Sequence, residues 1–91
     1  DETKHILIGA IMFSEIGNPE FHAGEIIKLC NAINATLISR FYGVEQCADA
    51  YEQLDKIATK RNFLGKGGVL DVERAGRQVI QDWQMGKMKL Y

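Results

Sequence analysis

Apolar side chains recur every three or four positions through most of this chain. Glycine and a single proline supply most of the interruptions, so the chain is built to fold as short helices. Asn18-Pro19 places a side-chain acceptor at a helix cap and a fixed-φ residue at the first helical position, which predicts a helix start. Behind it, Ala23, Ile26, Ile27, Cys30 and Ile33 form one buried stripe. Asn31 and Asn34 interrupt that stripe, and Asn34 is the expected cap of a second, short helix carrying Leu37, Ile38 and Phe41, ended by Gly43 in a left-handed turn. A third helix is predicted from Cys47 to Asn62. Cys47, Tyr51, Leu54, Ile57 and Ala58 share its inner face, and Asp49, Glu52, Gln53, Lys56 and Lys60 its other faces. Gly65, Gly67 and Gly68 then break the chain. Asp71 is placed to cap a fourth helix running to Met85, with Val72, Ala75, Val79, Ile80 and Trp83 inward, and Gly86 stops it.

The segment before Asn18 is ambiguous, because Ile6, Leu7, Ile8, Ile11, Met12 and Phe13 suit either an extended lead-in or a short helix. The fold class expected is therefore all-α: a compact bundle of about four short helices in residues 18–91, preceded by a helical or extended lead-in at residues 1–17. A chain of 91 residues supports one modest core. That core is predicted to hold Ile26, Ile27, Cys30, Leu37, Phe41, Tyr51, Leu54, Ile57, Val79, Ile80 and Trp83.

Several functional classes fall away on composition. The longest apolar run, Ile6 to Phe13, is broken by Gly9 and falls far short of the roughly 20 residues a bilayer requires. No membrane partner is expected, and no signal-peptide pattern opens the sequence. Cys30 and Cys47 are expected as buried thiols on helix faces rather than as a disulfide. With His5 and His22 they form no metal-ligand spacing, so no metal site is expected. His22 itself fits a surface or partly buried histidine. Asp49 with Glu52, and Asp71 with Glu73, suit the first turn of a helix, where the dipole favours negative charge. No nucleophile, acid and base come together, so no catalytic residue is expected and the chain is not expected to be an enzyme.

Charge is more informative, because residues 1–55 carry a net −6 and residues 56–91 a net +5. Clustered cations of this kind confer sequence-independent affinity for phosphates. Within the basic half, Lys60-Arg61-Asn62-Phe63-Leu64-Gly65-Lys66-Gly67-Gly68 sets three cations and three glycines between two helices. Glycine admits close backbone approach to an anion, and the helix start that follows would add a partial positive field. The segment is not a nucleotide P-loop, which requires GxxxxGK followed by Ser or Thr after a strand. Arg74 and Arg77, three apart, share a helix face. Phe63 and Trp83 are candidates for base stacking, although Trp83 also lies on the apolar stripe.

Taken together, Ala58-Thr59-Lys60-Arg61, Leu64, Lys66-Gly67-Gly68, Asp71 and the closing Asp82-Trp83-Gln84-Met85-Gly86-Lys87 resemble the carboxy-terminal end of circularly permuted GTPases that assemble the large ribosomal subunit, the ribosome biogenesis GTPase A and nucleostemin family. The specific part of the resemblance covers about a third of the chain, and a looser part, through Phe41-Tyr42-Gly43-Val44, covers most of the rest. Two positions depart from the pattern: Asn62 stands where glycine is common, and Leu70 where proline is frequent.

The resemblance implies a GTPase domain upstream, binding GTP and magnesium. The motifs GxxxxGK[ST], DxxG and NKxD are all missing from this chain. It also implies a helical, non-catalytic domain that packs beside the GTPase domain and contacts large-subunit rRNA in the pre-ribosome. The expected RNA-binding residues are Lys60, Arg61, Lys66, Gly67, Gly68, Arg74, Arg77 and Lys87. The location implied is nucleolar or nuclear in a eukaryote, and cytoplasmic in a bacterium or else mitochondrial. The alternative is a protein-interaction module that docks on the GTPase domain or on ribosomal proteins through exposed apolar residues such as Phe21, Met85 and Met88.

Overall fold

A computed structural model describes residues 2–9 and 15–88, so the lead-in residues Ile11, Met12 and Phe13 lie outside the described residues. The architecture of the described residues is all-α: α1 (Glu2–Leu7), α2 (Pro19–Ile33), α3 (Leu37–Tyr42), α4 (Ala50–Lys60) and α5 (Val72–Gln84), with a 3-10 turn at Lys66–Gly68. α2, α4 and α5 pack on one another, and α1 and α3 close the sides.

The apolar stripes explain this arrangement. Ile26, Ile27 and Cys30 of α2, Leu54 and Ile57 of α4, and Val79 and Ile80 of α5 are all fully buried in one core. Leu37 joins them, whereas Phe41 and Trp83 pack on the core from its edge and Tyr51 is half-buried. Ile6, Ile16, Ile38 and Tyr42, outside the predicted core, are buried as well. The ambiguous lead-in is helical at residues 2–7, and Ile6 ties it to the core. The Trp83 indole Nε1 donates to the Leu7 carbonyl at 2.9 Å, and Gln84 Nε2 to the Ile6 carbonyl at 3.2 Å.

Helix starts depart from expectation in instructive ways. Asn18 precedes α2 in the left-handed region (φ 53°) and makes no side-chain cap bond. Pro19 needs no donor partner at that position, so the start survives without the cap. The residue before α3 is Thr36 rather than Asn34. Asn34 Oδ1 instead holds the joint by accepting from the Thr36 amide and hydroxyl at 3.3 Å. α4 begins at Ala50, later than predicted, because the Asp49 carboxylate captures the Tyr51 amide at 2.9 Å. Cys47 is thereby left in the preceding loop and not on a helix face, with its thiol 3.7 Å from the Glu45 carbonyl. Gln53, assigned to a polar face, is fully buried. Its amide accepts from Asn31 Nδ2 at 3.0 Å and donates to the Glu45 carbonyl at 3.3 Å, which satisfies it inside the core.

His22 is buried rather than superficial, with Nδ1 2.6 Å from Thr3 Oγ1. Two glycines of the sequence owe their place to packing. Gly24 lies under the Tyr51 ring, and Gly76 of α5 lies against the backbone of Pro19, which lets α2 and α5 approach closely.

Candidate nucleic-acid interface

The eleven residues between α4 and α5 form an ordered miniature hairpin and not a loose turn. Phe63 N–H donates to the Ala58 carbonyl at 2.9 Å as the chain leaves α4, with Asn62 in the left-handed region (φ 58°). Asparagine tolerates that conformation, which glycine favours, so the departure at this position preserves the backbone path. Leu64 and Leu70 then pair as an antiparallel bridge, flanked by Asp71 N–H to Phe63 O at 2.8 Å and Gly65 N–H to Val69 O at 2.6 Å. The reversal falls at Lys66–Gly68, where Gly67 and Gly68 take φ of 75° and 78°, and no atom within 4 Å would meet a Cβ at either. Positive φ at two successive positions is a demand that glycine meets at least cost.

Each expected RNA-binding residue has a definite place. Lys60 ends α4, exposed, with its side chain passing over Gly43. Beside it, Val44, Glu45, Lys56 and Thr59 line a shallow depression in which Lys56 Nζ pairs with Glu45 at 3.5 Å. The exposed guanidinium of Arg61 lies 5.5 Å over the Tyr42 ring. Lys66, Gly67 and Gly68 form the exposed hairpin tip. Arg74 is exposed and stacks 4.4 Å over the Phe63 ring, and Lys87 is exposed beyond α5. Arg77 is half-buried and paired with Glu73 at 3.5 Å, so part of its charge is answered within its own helix.

These residues gather in two groups, not along one line. The first is the hairpin with Lys66 and Arg74. The second is Arg61, over Tyr42, whose hydroxyl donates to Asp82 Oδ2 at 2.7 Å, and Lys87, whose backbone amide closes the end of α5 on the Asp82 carbonyl at 2.9 Å. From Arg74 to Gln84 the helix alone rises about 15 Å, which separates Arg74 from the Lys87 end.

Three further expectations are corrected here. The start of α5 offers no open anion site, because Asp71 Oδ1 accepts the Arg74 amide at 3.1 Å and so fills it with the chain's own carboxylate. Phe63 and Trp83 are both half-buried against the core, with Arg74 over one face of Phe63 and the Trp83 N–H bonded to Leu7, which limits both as stacking platforms. Met88 is buried, which removes it from any apolar docking surface, whereas Phe21 and Met85 are 45% and 59% exposed. Leu64 and Val69, outside the set of expected contact residues, are 48% and 68% exposed on the hairpin. Their signal was the pairing of Phe63-Leu64 with Val69-Leu70 around a glycine turn, a short hairpin pattern.

The Asp82 carboxylate is 97% shielded, and it also accepts from Gln78 Nε2 at 3.0 Å. Burial, then the bond to Asp82, pushes the Tyr42 hydroxyl far above its ordinary range. Burial likewise raises Cys30 to about 11, and burial with the Glu25 bond raises Tyr51 to about 12. All three groups are held neutral by the fold, so the stability they contribute is complete below their unfolded values near 9 to 10 and is lost as pH rises through the folded ones. Thermal melts are therefore expected to fall above about pH 9. Tyr42→Phe, which strands one Asp82 oxygen, should cost about 1–3 kcal/mol at neutral pH and make the decline above about pH 10 shallower. An alkaline profile identical to that of the parent chain would contradict this.

No family model matches the chain. It is 32% identical over all 91 residues to an uncharacterized GTP-binding protein of Methanocaldococcus jannaschii, of which the match covers 24%. It is 32% identical over 77 residues, 85% of the chain, to the guanine nucleotide-binding protein-like NSN1 of Arabidopsis thaliana, covering 13% of that protein. It is 30% identical over 87 residues, 96% of the chain, to nucleolar GTP-binding protein 2 of Pneumocystis carinii, covering 18%. The chain thus spans about a quarter or less of the length of the curated relatives it matches. These matches fall in the carboxy-terminal region of GTP-binding proteins, several of them nucleolar or nucleostemin-type, which fits a carboxy-terminal domain of such a protein.

Proposed function

We propose that this chain is the non-catalytic, rRNA-docking domain of a ribosome-biogenesis GTPase and holds its parent protein on the assembling large subunit. The observation that carries the reading is the exposed hairpin at Lys66–Gly68, flanked by Arg74 and open above two glycines. Phosphates can approach its backbone closely there, and the cations around it supply affinity without base selectivity. Arg61, exposed over the Tyr42 ring, and Lys87, exposed beyond α5, provide a second set of cations. GTP and its magnesium ion would sit in the parent's GTPase domain, in cis and beyond this chain. In a eukaryotic host the nucleolus is the site of action this reading implies.

The test is association with large-subunit rRNA fragments across a salt series. Lys66→Ala with Arg74→Ala should lower the slope of log affinity against log salt by about 1.4–1.8, because each lost phosphate contact removes about 0.7–0.9. Arg61→Ala with Lys87→Ala should lower it by a similar amount. Affinity indifferent to salt and to both pairs would end the proposal.

One observation favours a second reading. Leu29 and Ile33, one turn apart at the end of α2, are 37% and 55% exposed, and Phe21 near its start is 45% exposed, which suits docking on the parent's own GTPase domain. In that case Leu29→Ser with Ile33→Ser should loosen the GTPase domain's hold on this chain and leave the salt slope for RNA unchanged.

A further inference from the structure

The hairpin carries more than charge. In a two-stranded ribbon, neighbouring residues face opposite ways, and Leu64 and Leu70, paired directly across, share a side. Leu70 is turned toward the core, where it packs half-buried, while Val69 beside it is 68% exposed and faces away. Leu64 remains 48% exposed on the Leu70 side. The ribbon therefore presents a bare aliphatic side chain on each of its two faces, with the Lys66 ammonium and two open glycines at its edge. Three internal backbone hydrogen bonds, including Gly68 N–H to Gly65 O at 3.2 Å, hold that shape.

We infer that this hairpin is a wedge that seats among unpaired nucleotides of RNA, with Leu64 and Val69 against the faces of splayed bases and Lys66 and Arg74 on the flanking phosphates. The inference rests on the RNA-docking reading and narrows it from RNA at large to bulged or looped segments. Aliphatic groups gain nothing from a phosphate, and in a continuous A-form duplex the base faces are stacked out of reach. Only where the stack is open do two apolar faces meet a two-sided wedge, as with the apolar side chains that architectural proteins insert between base steps. The charge around the wedge selects the occupant: Lys66 and Arg74 are exposed cations, while the Asp71 carboxylate at the hairpin's end is turned to the Arg74 amide, so an anionic partner is favoured.

The probes are a synthetic RNA stem–loop with an unpaired bulge, a fully paired duplex of the same length, and RNA-free large-subunit proteins. The 91-residue chain is compared with Leu64→Ser/Val69→Ser, with Val69→Ser alone and with Lys66→Ala/Arg74→Ala. Circular dichroism checks that each is folded, and Val69→Ser, at a largely exposed position, keeps the test decisive should the double variant unfold. The chain is expected to bind the bulged RNA about tenfold more tightly than the duplex. The leucine–valine variant should lose that preference with its salt slope intact, and the lysine–arginine variant should lose slope while keeping the preference. Salt-dependent binding with equal affinity for both RNAs would overturn the wedge and leave the RNA-docking reading standing. Binding to neither RNA would overturn both. Binding to the RNA-free proteins that follows Leu64 and Val69 would replace the RNA wedge with a protein contact.

Discussion

Gly76→Ala is expected to lower the melting temperature by about 10–20 °C. In an exposed helix interior this change would gain close to 1 kcal/mol, since alanine is the better helix former. Here the added methyl would lie 2.8 Å from the Pro19 carbonyl oxygen and 2.9 Å from its carbon, closer than such atoms can sit. Both obstacles are backbone, at the first turn of α2, so no rotamer can relieve them. α2 and α5 would have to separate along the most extensive helix contact in the molecule. Overpacking of this kind costs about 1–3 kcal/mol and occasionally more, and backbone against backbone falls at the upper end. The steric cost exceeds the propensity gain, and thermal denaturation followed by circular dichroism decides the sign. An unchanged or raised melting point would show that the two helices slide apart freely.

Leu54→Ala should cost about 2–5 kcal/mol. Leu54 is fully buried on α4, and its side chain belongs to the core shared with α2 and α5. A chain of this size has roughly 5–14 kcal/mol of total stability, so the loss is a large share of it. The spread reflects how far the neighbours can collapse into the vacated space. Ile57 and Val79, both β-branched and fully buried, leave few rotamers for such a rearrangement, which argues for the upper half of the range. The measurement is a urea titration of the parent chain and the variant. A midpoint shift corresponding to less than about 1 kcal/mol would mean that the core is far more plastic than its packing indicates.

The helices α2 to α5 were legible because two independent local signals coincide in each of them, a period of 3.6 among apolar residues and punctuation by proline, asparagine, aspartate or glycine. Gly43 and Asp71 perform as their chemistry requires: Gly43 ends α3 at φ 69°, and Asp71 caps α5. What stayed hidden depends on partners distant in sequence. Gln53 looks like a surface residue until Asn31, 22 positions away, supplies a donor. α1 could not be assigned from its own isoleucines, whose propensity is divided, because the groups that fix it are Trp83 and Gln84.

At the interface the cations and glycines were visible from composition and spacing, but their division into two groups was not, since Tyr42 and Asp82 are 40 positions apart and only the fold joins them. The segment's cations and glycines mark it as a phosphate candidate, but its hairpin shape is hidden because three glycines in four positions mask the strand-like pairs on either side of them.

The bonds that pin Ile6 and Leu7 to Trp83 and Gln84 span 78 and 76 positions and constrain how this molecule is made. During translation α1 emerges long before the residues that receive it, so Ile6 stays uncovered until Trp83 and Gln84 have left the exit tunnel. Docking of α1 is therefore gated by synthesis of α5 rather than by helix formation, which takes microseconds or less. A nascent chain stalled before Trp83 should display α1 to chaperones and proteases, and synthesis past Gln84 should withdraw it.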